Sequence, residues 1–342
     1  MAPREPQRAP DRDLRGRRVG MCFDLRAEYL ARGVAAEDVA EFDSPATIDA
    51  IAAALQEHGC QVDRIGSLHS LLPRLCAGER WDLVFNIAEG RHGFGREAQV
   101  PAVLDAFAIP YTFCEPLAAT VTLHKATAKH VLRDAGLPTA PFFVVAEPAD
   151  VARCPLPFPV LGKPVAEGTS KGIGADAVAR DAAQLQALCS RLLAAHRQPV
   201  LVEAFLPGRE LTVGVVGTGA AAETVGALEI TLLDGADAEV CTFRNKEDCE
   251  SLVRYSLPTD DHARAAERIA LAAWRTLGCR DGGRVDVRAD AAGNWQILEL
   301  NPLPGLHPTH SDLPILWSLG GRRYADLIGA ITRSALQRVP TS

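Results

Sequence analysis

The chain has 342 residues, 47% hydrophobic and 23% charged, an ordinary globular make-up with length enough for two or three lobes. A net charge of −7 argues against nonspecific nucleic-acid binding, and no apolar run approaches the roughly 20 residues that span a bilayer. Nine scattered cysteines without a C-x-x-C pair are poor material for a zinc site or disulfide framework and fit a reduced, cytoplasmic protein.

Residues 1–17 are rich in Pro and Arg and lack an apolar h-region, so they read as a disordered tail, with structure expected from Arg18. "RVGMCFD" predicts a buried strand. "SPATIDAIAAALQEHG" predicts a helix with Ser44 as N-cap, Pro45 in the first turn and Gly59 as stop. "CQVDRIG", "WDLVFNIA" and "IPYTF" read as further strands. They alternate with helices in "SLHSLLPRLCAG" and "AQVPAVLDAFA" and with the Gly-rich loop "EGRHGFGRE". Such alternation implies a parallel sheet covered on both faces, with ligands at the carboxyl ends of its strands.

A long helix, "PLAATVTLHKATAKHVLRDAG", is expected next, and after it the texture becomes α+β. "FFVV", "FPVLGKP", "PVLVEAFL" and "GRELTVGVVG" read as strands, with an amphipathic helix near 181–196. A helix in "HARAAERIALAAWRTLG", the hairpin "GRVDVRADAAGNWQILEL" and a C-terminal helix complete the chain. These shifts divide it into a tail (1–17), an N-terminal parallel α/β domain (18–120), a central α+β lobe (121–213) and a C-terminal α+β lobe (214–342).

Chemistry is concentrated in three stretches. In the hairpin, Arg284 and Asp286 share one face of the first strand, and Glu299 and Asn301 share one face of the second. Antiparallel pairing brings Asp286 beside Glu299. Two carboxylates and an amide oxygen are hard ligands suited to Mg²⁺, which keeps waters and takes phosphate oxygens; the alternative is a surface hairpin with solvated charges. "GKPVAEGTSKGIG" sets Lys163 at a strand end before a loop of small and hydroxyl residues. That is either a phosphate cradle or a plain flexible loop. "VLVEAFLPGREL" places Glu203 and Glu210 around a turn, where they can accept from an amino group and hydroxyls or stand solvated at a hairpin tip.

Only five of the 36 basic residues are lysine: Lys125, Lys129, Lys163, Lys171 and Lys246. In so Arg-biased a chain, a retained Lys is a candidate for a position needing a compact, flexible point charge.

Taken together and in order, "VFNIAEG", "IPYT", "TLHKATAKHVL", "KPVAEGTSKGIG", "VEAFLPGRE", "GRVDV" and "LELNPLPGL" resemble the ATP-grasp superfamily, most closely its D-alanine–D-alanine ligase branch. The resemblance runs from about Arg18 to near the C-terminus and implies a three-lobed ATP-grasp fold. It also implies that Lys125 and Lys163 bind ATP phosphates. The loop containing Glu167, Gly168, Thr169, Ser170 and Gly172 would close over them. Glu203 and the backbone of Ala204 to Leu206 would meet adenine, and Glu210 the ribose. Asp286, Glu299 and Asn301 would hold two Mg²⁺ ions, with Mn²⁺ as a substitute. Arg284 and the Gly305 N–H would stabilise a tetrahedral oxyanion, and Lys246 in "FRNKED" matches a mobile-loop lysine. Lys129 has no motif role on this reading. The implied chemistry is activation of a small carboxylate as an acyl phosphate and its capture by an amine. The expected partners are therefore two small molecules, in a cytoplasmic, homodimeric enzyme that binds neither nucleic acid nor membrane.

The sequence departs from that pattern on the substrate side. "MCFDLRAEYLARGVAAEDVAEFDS" lacks the family's Gly-Gly…Ser-Glu, leaving Glu28, Glu41 and Asp43 as substitutes. "EGRHGFGREAQ", with Glu89 and Glu97, replaces the usual His-Gly loop. "HPTHSDLP" carries His310, Ser311 and Asp312 where a neutral turn is usual, and Glu247 replaces an aromatic. The product is therefore expected to differ from D-Ala-D-Ala. An intramolecular cyclo-ligase is the alternative within the same fold. A non-catalytic nucleotide-binding regulator is the alternative from another class, and the retained Arg284, Asp286, Glu299 and Asn301 speak against it.

Overall fold

A computed structural model describes residues 14–233 and 252–339. Lys246 and Glu247 lie outside the described residues, as do residues 1–13 of the expected tail.

In chain order the N-terminal part comprises β1 (Arg18–Cys22), α1 (Arg26–Ala31), α2 (Pro45–Glu57), β2 (Gln61–Gly66), α3 (Leu68–Cys76), β3 (Leu83–Asn86) and α4 (Gln99–Ala106). The strands form a parallel sheet in the order β2-β1-β3. All four residues of β3 are buried, as a strand covered on both faces requires. Ser44 caps α2 as expected, its Oγ accepting from Thr47 N at 3.2 Å, and Gly59 supplies the left-handed stop at φ +83. The tail is shorter than expected, because Leu14 is buried in the core and Gly16 N donates to Gly59 O at 2.8 Å.

Two further expectations are corrected. "IPYTF" makes only a single bridge, Tyr111 to Val84, because Phe113 turns to φ +71 and leaves the strand path. The long linker helix is broken at His124 (φ −85, ψ 87) into α5 (Pro116–Leu123) and α6 (Lys125–Asp134). His124 Nδ1 accepts from Thr127 N at 3.2 Å, so its ring caps the second helix. The break lets Lys125 N donate to Val165 O at 2.9 Å, which ties the linker to the Gly-rich stretch.

The central sheet is antiparallel, order β4-β7-β5-β6, from β4 (Phe142–Val145), β5 (Val160–Pro164), β6 (Val178–Ala179) and β7 (Val200–Ala204), with α7 (Ala182–His196) packed on it. A five-stranded sheet follows in the order β10-β9-β8-β11-β12. Its strands are β8 (Glu210–Val216), β9 (Glu223–Leu232), β10 (Val253–Ser256), β11 (Gly282–Ala289) and β12 (Trp295–Asn301). It is backed by α8 (Asp261–Thr276), whose Trp274 lies against Gly283 so closely that a Cβ there would come 2.6 Å from the ring. Gly214 falls inside β8, whose partners are β9 and β11. The chain ends in α9 (Asp312–Leu319) and α10 (Tyr324–Gln337). Leu327, Ile328 and Ile331 of α10 share a core with Met21, Ile51 and Phe85, so the last helix returns to the N-terminal sheet.

Candidate active site

The β11–β12 hairpin has the expected register, with Asp286 opposite Glu299 and Arg284 opposite Asn301. Val287 then pairs with Ile297, so Leu298 is an extra residue in β12 and turns into the wall of a cavity between the two antiparallel sheets. That cavity is lined by Lys163, Ser170, Glu203, Ala204, Leu206, Glu210, Arg284, Asp286, Glu299 and Asp312. A neighbouring one holds Lys125, Glu167, Gly168, Glu299, Asn301 and Glu97. The structure thus brings together most residues expected at an ATP site.

Each acid around the first cavity meets a cation. Arg284 Nη1 contacts Asp286 Oδ2, and Thr212 Oγ1 donates to Asp286 Oδ1 at 2.8 Å. Lys125 Nζ lies 3.3 Å from Glu299 Oε2, and Arg288 Nη1 lies 3.1 Å from Glu210 Oε2. Glu203 is held by two lysines, Lys129 at 2.6 Å from Oε1 and Lys163 at 2.7 Å from Oε2. Burial resists ionisation of Glu203, but the two lysines outweigh it and hold the carboxyl below its usual range. Burial lowers Lys129, whereas for Lys163 the carboxylates of Glu203 and Glu299 overcome burial and raise it. Arg284 is likewise raised, with Asp286 and Asp312 offsetting its burial. Sequence reasoning missed Arg288 and gave Lys129 no role, yet Lys129 is 1% exposed and fully engaged.

The backbone expected to meet a nucleotide base is partly committed. Ala204 N and Phe205 N donate to Pro141 O (2.9 Å) and Pro159 O (3.2 Å), whereas Leu206 N–H makes no hydrogen bond among the described residues. The Gly-rich loop bends through positive φ at Thr169 (+49), Ser170 (+53) and Gly172 (+77). Its Glu167 side chain is pinned by Lys171 (3.0 Å) and Gln198 (2.6 Å), and Glu167 O accepts from Lys125 Nζ.

The substrate candidates separate. Glu28 sits on the surface, 3.9 Å from Arg32, and is not brought to the site. Glu41 is a clamp: its Oε1 accepts from Gly168 N at 2.5 Å, and its Oε2 lies 2.8 Å from Arg96 Nη2. Arg96 in turn donates to Ala166 O at 2.8 Å, so two N-terminal side chains hold the Gly-rich loop. A Cβ on Gly168 would collide with the Glu41 carboxylate. Burial and neighbouring acids push Asp43 and Glu97 up to about 7 and Glu89 well above its usual value. Asp312 opens α9 and places Oδ2 3.6 Å from Arg284 Nε. Ser311 Oγ accepts from His307 N at 3.0 Å, His310 is exposed beside His307, and Gly305 is exposed with room for no side chain against Ser311.

Two carboxylates and an amide on one hairpin face suit a hard divalent ion that takes its remaining ligands from water and phosphate. Asn301 Nδ2 donates to Asp286 Oδ2 at 3.4 Å, so ligation through Asn301 Oδ1 requires its amide to turn over. Among the described residues, no group of three or more His, Cys, Asp or Glu side chains could hold an ion alone.

The family described as "D-ala D-ala ligase C-terminus" matches residues 131–333. The D-alanine–D-alanine ligase of Alcanivorax borkumensis is 32% identical over 318 residues, covering 92% of this chain and 94% of its own. The chain belongs to the D-alanine–D-alanine ligase family. The uncharacterised protein y4sG of Sinorhizobium fredii is 31% identical over 303 residues, with 85% of this chain and 87% of that protein covered. The fold also matches the crystal structure of D-alanine–D-alanine ligase from Bacillus anthracis complexed with ATP, at TM-score 0.70 and 18% identity over 94% of this chain and 98% of that one. The expected three-lobed ATP-grasp architecture is therefore the one observed, and the protein is a ligase of that type. No helix among the described residues is long and apolar enough to cross a membrane.

Proposed function

We propose that the protein is an ATP-dependent ligase that activates a small carboxylate as an acyl phosphate and joins it to an amine, and that its product is not D-Ala-D-Ala. The opposed Arg284–Asp286 and Glu299–Asn301 pairs beside two lysines carry the first part. Lys125 and Lys163 would exchange their carboxylate partners for phosphate oxygens, and the Leu206 N–H with Glu203 would meet the base. Asp286, Glu299 and Asn301 would hold Mg²⁺, with Mn²⁺ as a substitute, and the metal supplies charge neutralisation on those oxygens. Arg284 would hold the substrate oxyanion. This is catalysis by positioning and charge, which needs no covalent nucleophile.

Asp312 carries the second part. An acceptor carboxylate brought to Arg284 would also meet an anion 3.6 Å from that guanidinium. Repulsion between two such anions reaches about 4 kcal/mol at 4 Å and an effective dielectric of ~20. The acceptor that fits lacks a free carboxylate or brings a cation for Asp312. ADP release and product mass across a panel of carboxylates and amines test both parts. Nucleotide binding without ADP release on any substrate would favour a regulator, and a product lighter than its single substrate by one water would favour the cyclo-ligase.

A further inference from the structure

Resting on the nucleotide-site reading, we propose that Lys129 is a positioning residue: from behind the cavity wall it keeps Glu203 neutralised, so that Lys163 can leave that carboxylate for a phosphate oxygen.

The two lysines differ in what they can do. Lys163 lines the cavity, and among the described residues its ammonium pairs with Glu203 alone, so it has donors to spare for a ligand. Lys129 does not line the cavity. Its ammonium forms an ion pair with Glu203 Oε1 at 2.6 Å and donates to Thr139 Oγ1 at 2.8 Å and to Ile297 O at 3.0 Å, so three groups hold it at once. Those partners belong to three different places: β7, the segment before β4, and β12 just before Glu299. Thr139 bridges Ile297 and donates to the same carbonyl at 3.1 Å, so the anchor of Lys129 is itself fixed. One lysine is thus locked and the other is free to swing.

The carboxylate between them explains why both are needed. Glu203 is 2% exposed, so an unpaired charge there would be strongly disfavoured. With a single lysine, any phosphate would have to compete with a buried anion for it. With Lys129 in place, Glu203 stays paired when Lys163 departs. Lys129→Met therefore traps Lys163 on Glu203, and the defect should fall on phosphate recognition rather than on the base pocket.

The experiment is calorimetric titration of the full chain with MgADP and, separately, with adenosine. For Lys129→Met we expect ADP to bind about tenfold weaker, the loss of one charge-assisted contact, while adenosine stays within about twofold. Adding Glu203→Gln should release Lys163 and restore the wild-type ratio of ADP to adenosine affinity, a ratio in which any effect of the amide on the base cancels. Equal weakening of both ligands, unchanged ADP binding, or no recovery in the double variant would each overturn the proposal. Should Lys129→Met not fold, Glu203→Gln is compared with Lys129→Met/Glu203→Gln. Equal ADP affinities support action through Glu203, and a further tenfold loss refutes it. Wild-type protein that binds neither ligand would refute the nucleotide reading as well, whereas wild-type binding with an indifferent Lys129→Met refutes only the role of Lys129.

Discussion

The cavity walled by the central sheet and the β11–β12 hairpin differs from the neighbouring N-terminal loops in how charge is balanced. In the cavity wall every acid has a cation in contact: Glu203 with Lys129 and Lys163, Glu299 with Lys125, Asp286 with Arg284, and Glu210 with Arg288. In the loops, burial raises the proton affinity of Asp43, Glu89 and Glu97, with Asp24 adding to it at Asp43, Glu97 and Glu41 at Glu89, and Glu41 at Glu97, while Arg96 is committed to Glu41 and Ala166 O. The first region holds its proposed ATP contacts ready and paired. The second is where the proposed change of substrate would be made. Residues that must meet the same phosphates and metal tolerate little change, whereas the loops that choose a substrate are where change is useful.

Breaking the paired region should have the largest effect. Glu299→Gln keeps the shape but removes the charge that faces Lys125 and the proposed metal. Turnover should fall by at least about 100-fold with the fold intact by circular dichroism, and nucleotide binding should weaken chiefly when Mg²⁺ is present. Lys163→Arg comes next. A planar fork replaces a point charge 2.7 Å from a buried carboxylate, and kcat/KM should drop by about tenfold or more. Lys129→Arg belongs with it and is not the silent control that its lack of a motif suggests, because three short contacts leave no room for a guanidinium.

Smaller changes probe the seam between the regions. Glu41→Ala removes the carboxylate that holds Gly168 N and Arg96. It should raise the KM for ATP about threefold and speed proteolytic nicking at residues 167–172. The least effect is expected from Asp43→Asn. Burial and Asp24 raise the Asp43 carboxyl to about 7 in the folded protein, above its unfolded value near 3.9. The folded state therefore holds this proton more tightly, and stability declines as pH rises between those values. Asp43→Asn should raise Tm at pH 8 by about 2 °C and leave it unchanged at pH 4.

Much of the paired region was legible because its signals are local. Alternation placed Asp286, Glu299 and Asn301 on one face, and the register followed. Ser44, Pro45 and Gly59 bounded α2 for equally local reasons. What was missed depends on contacts distant in sequence. The break at His124 is rewarded by Lys125 N reaching Val165 O, which helical periodicity cannot show. Lys129 looked like one more polar position on a helix, and only the approach of β7 and β12 reveals its partners. The acidity of Glu41 is visible in sequence, whereas its partner Gly168 N is not. The return of α10 to the N-terminal sheet is also tertiary, with Arg323 Nη1 2.5 Å from Glu57 Oε1.

Asp312 bears most directly on whether the substrate side has changed its occupant. Wild-type protein and Asp312→Asn are supplied with ATP and Mg²⁺, first with D-alanine alone and then with D-alanine plus amines that lack a carboxylate or carry a second cation. ADP release and product mass are followed together. The expected result is poor turnover of D-alanine alone, amide products from the second set, and improved use of carboxylate-bearing acceptors by Asp312→Asn. Efficient D-Ala-D-Ala synthesis by the wild type, unchanged in Asp312→Asn, would contradict it.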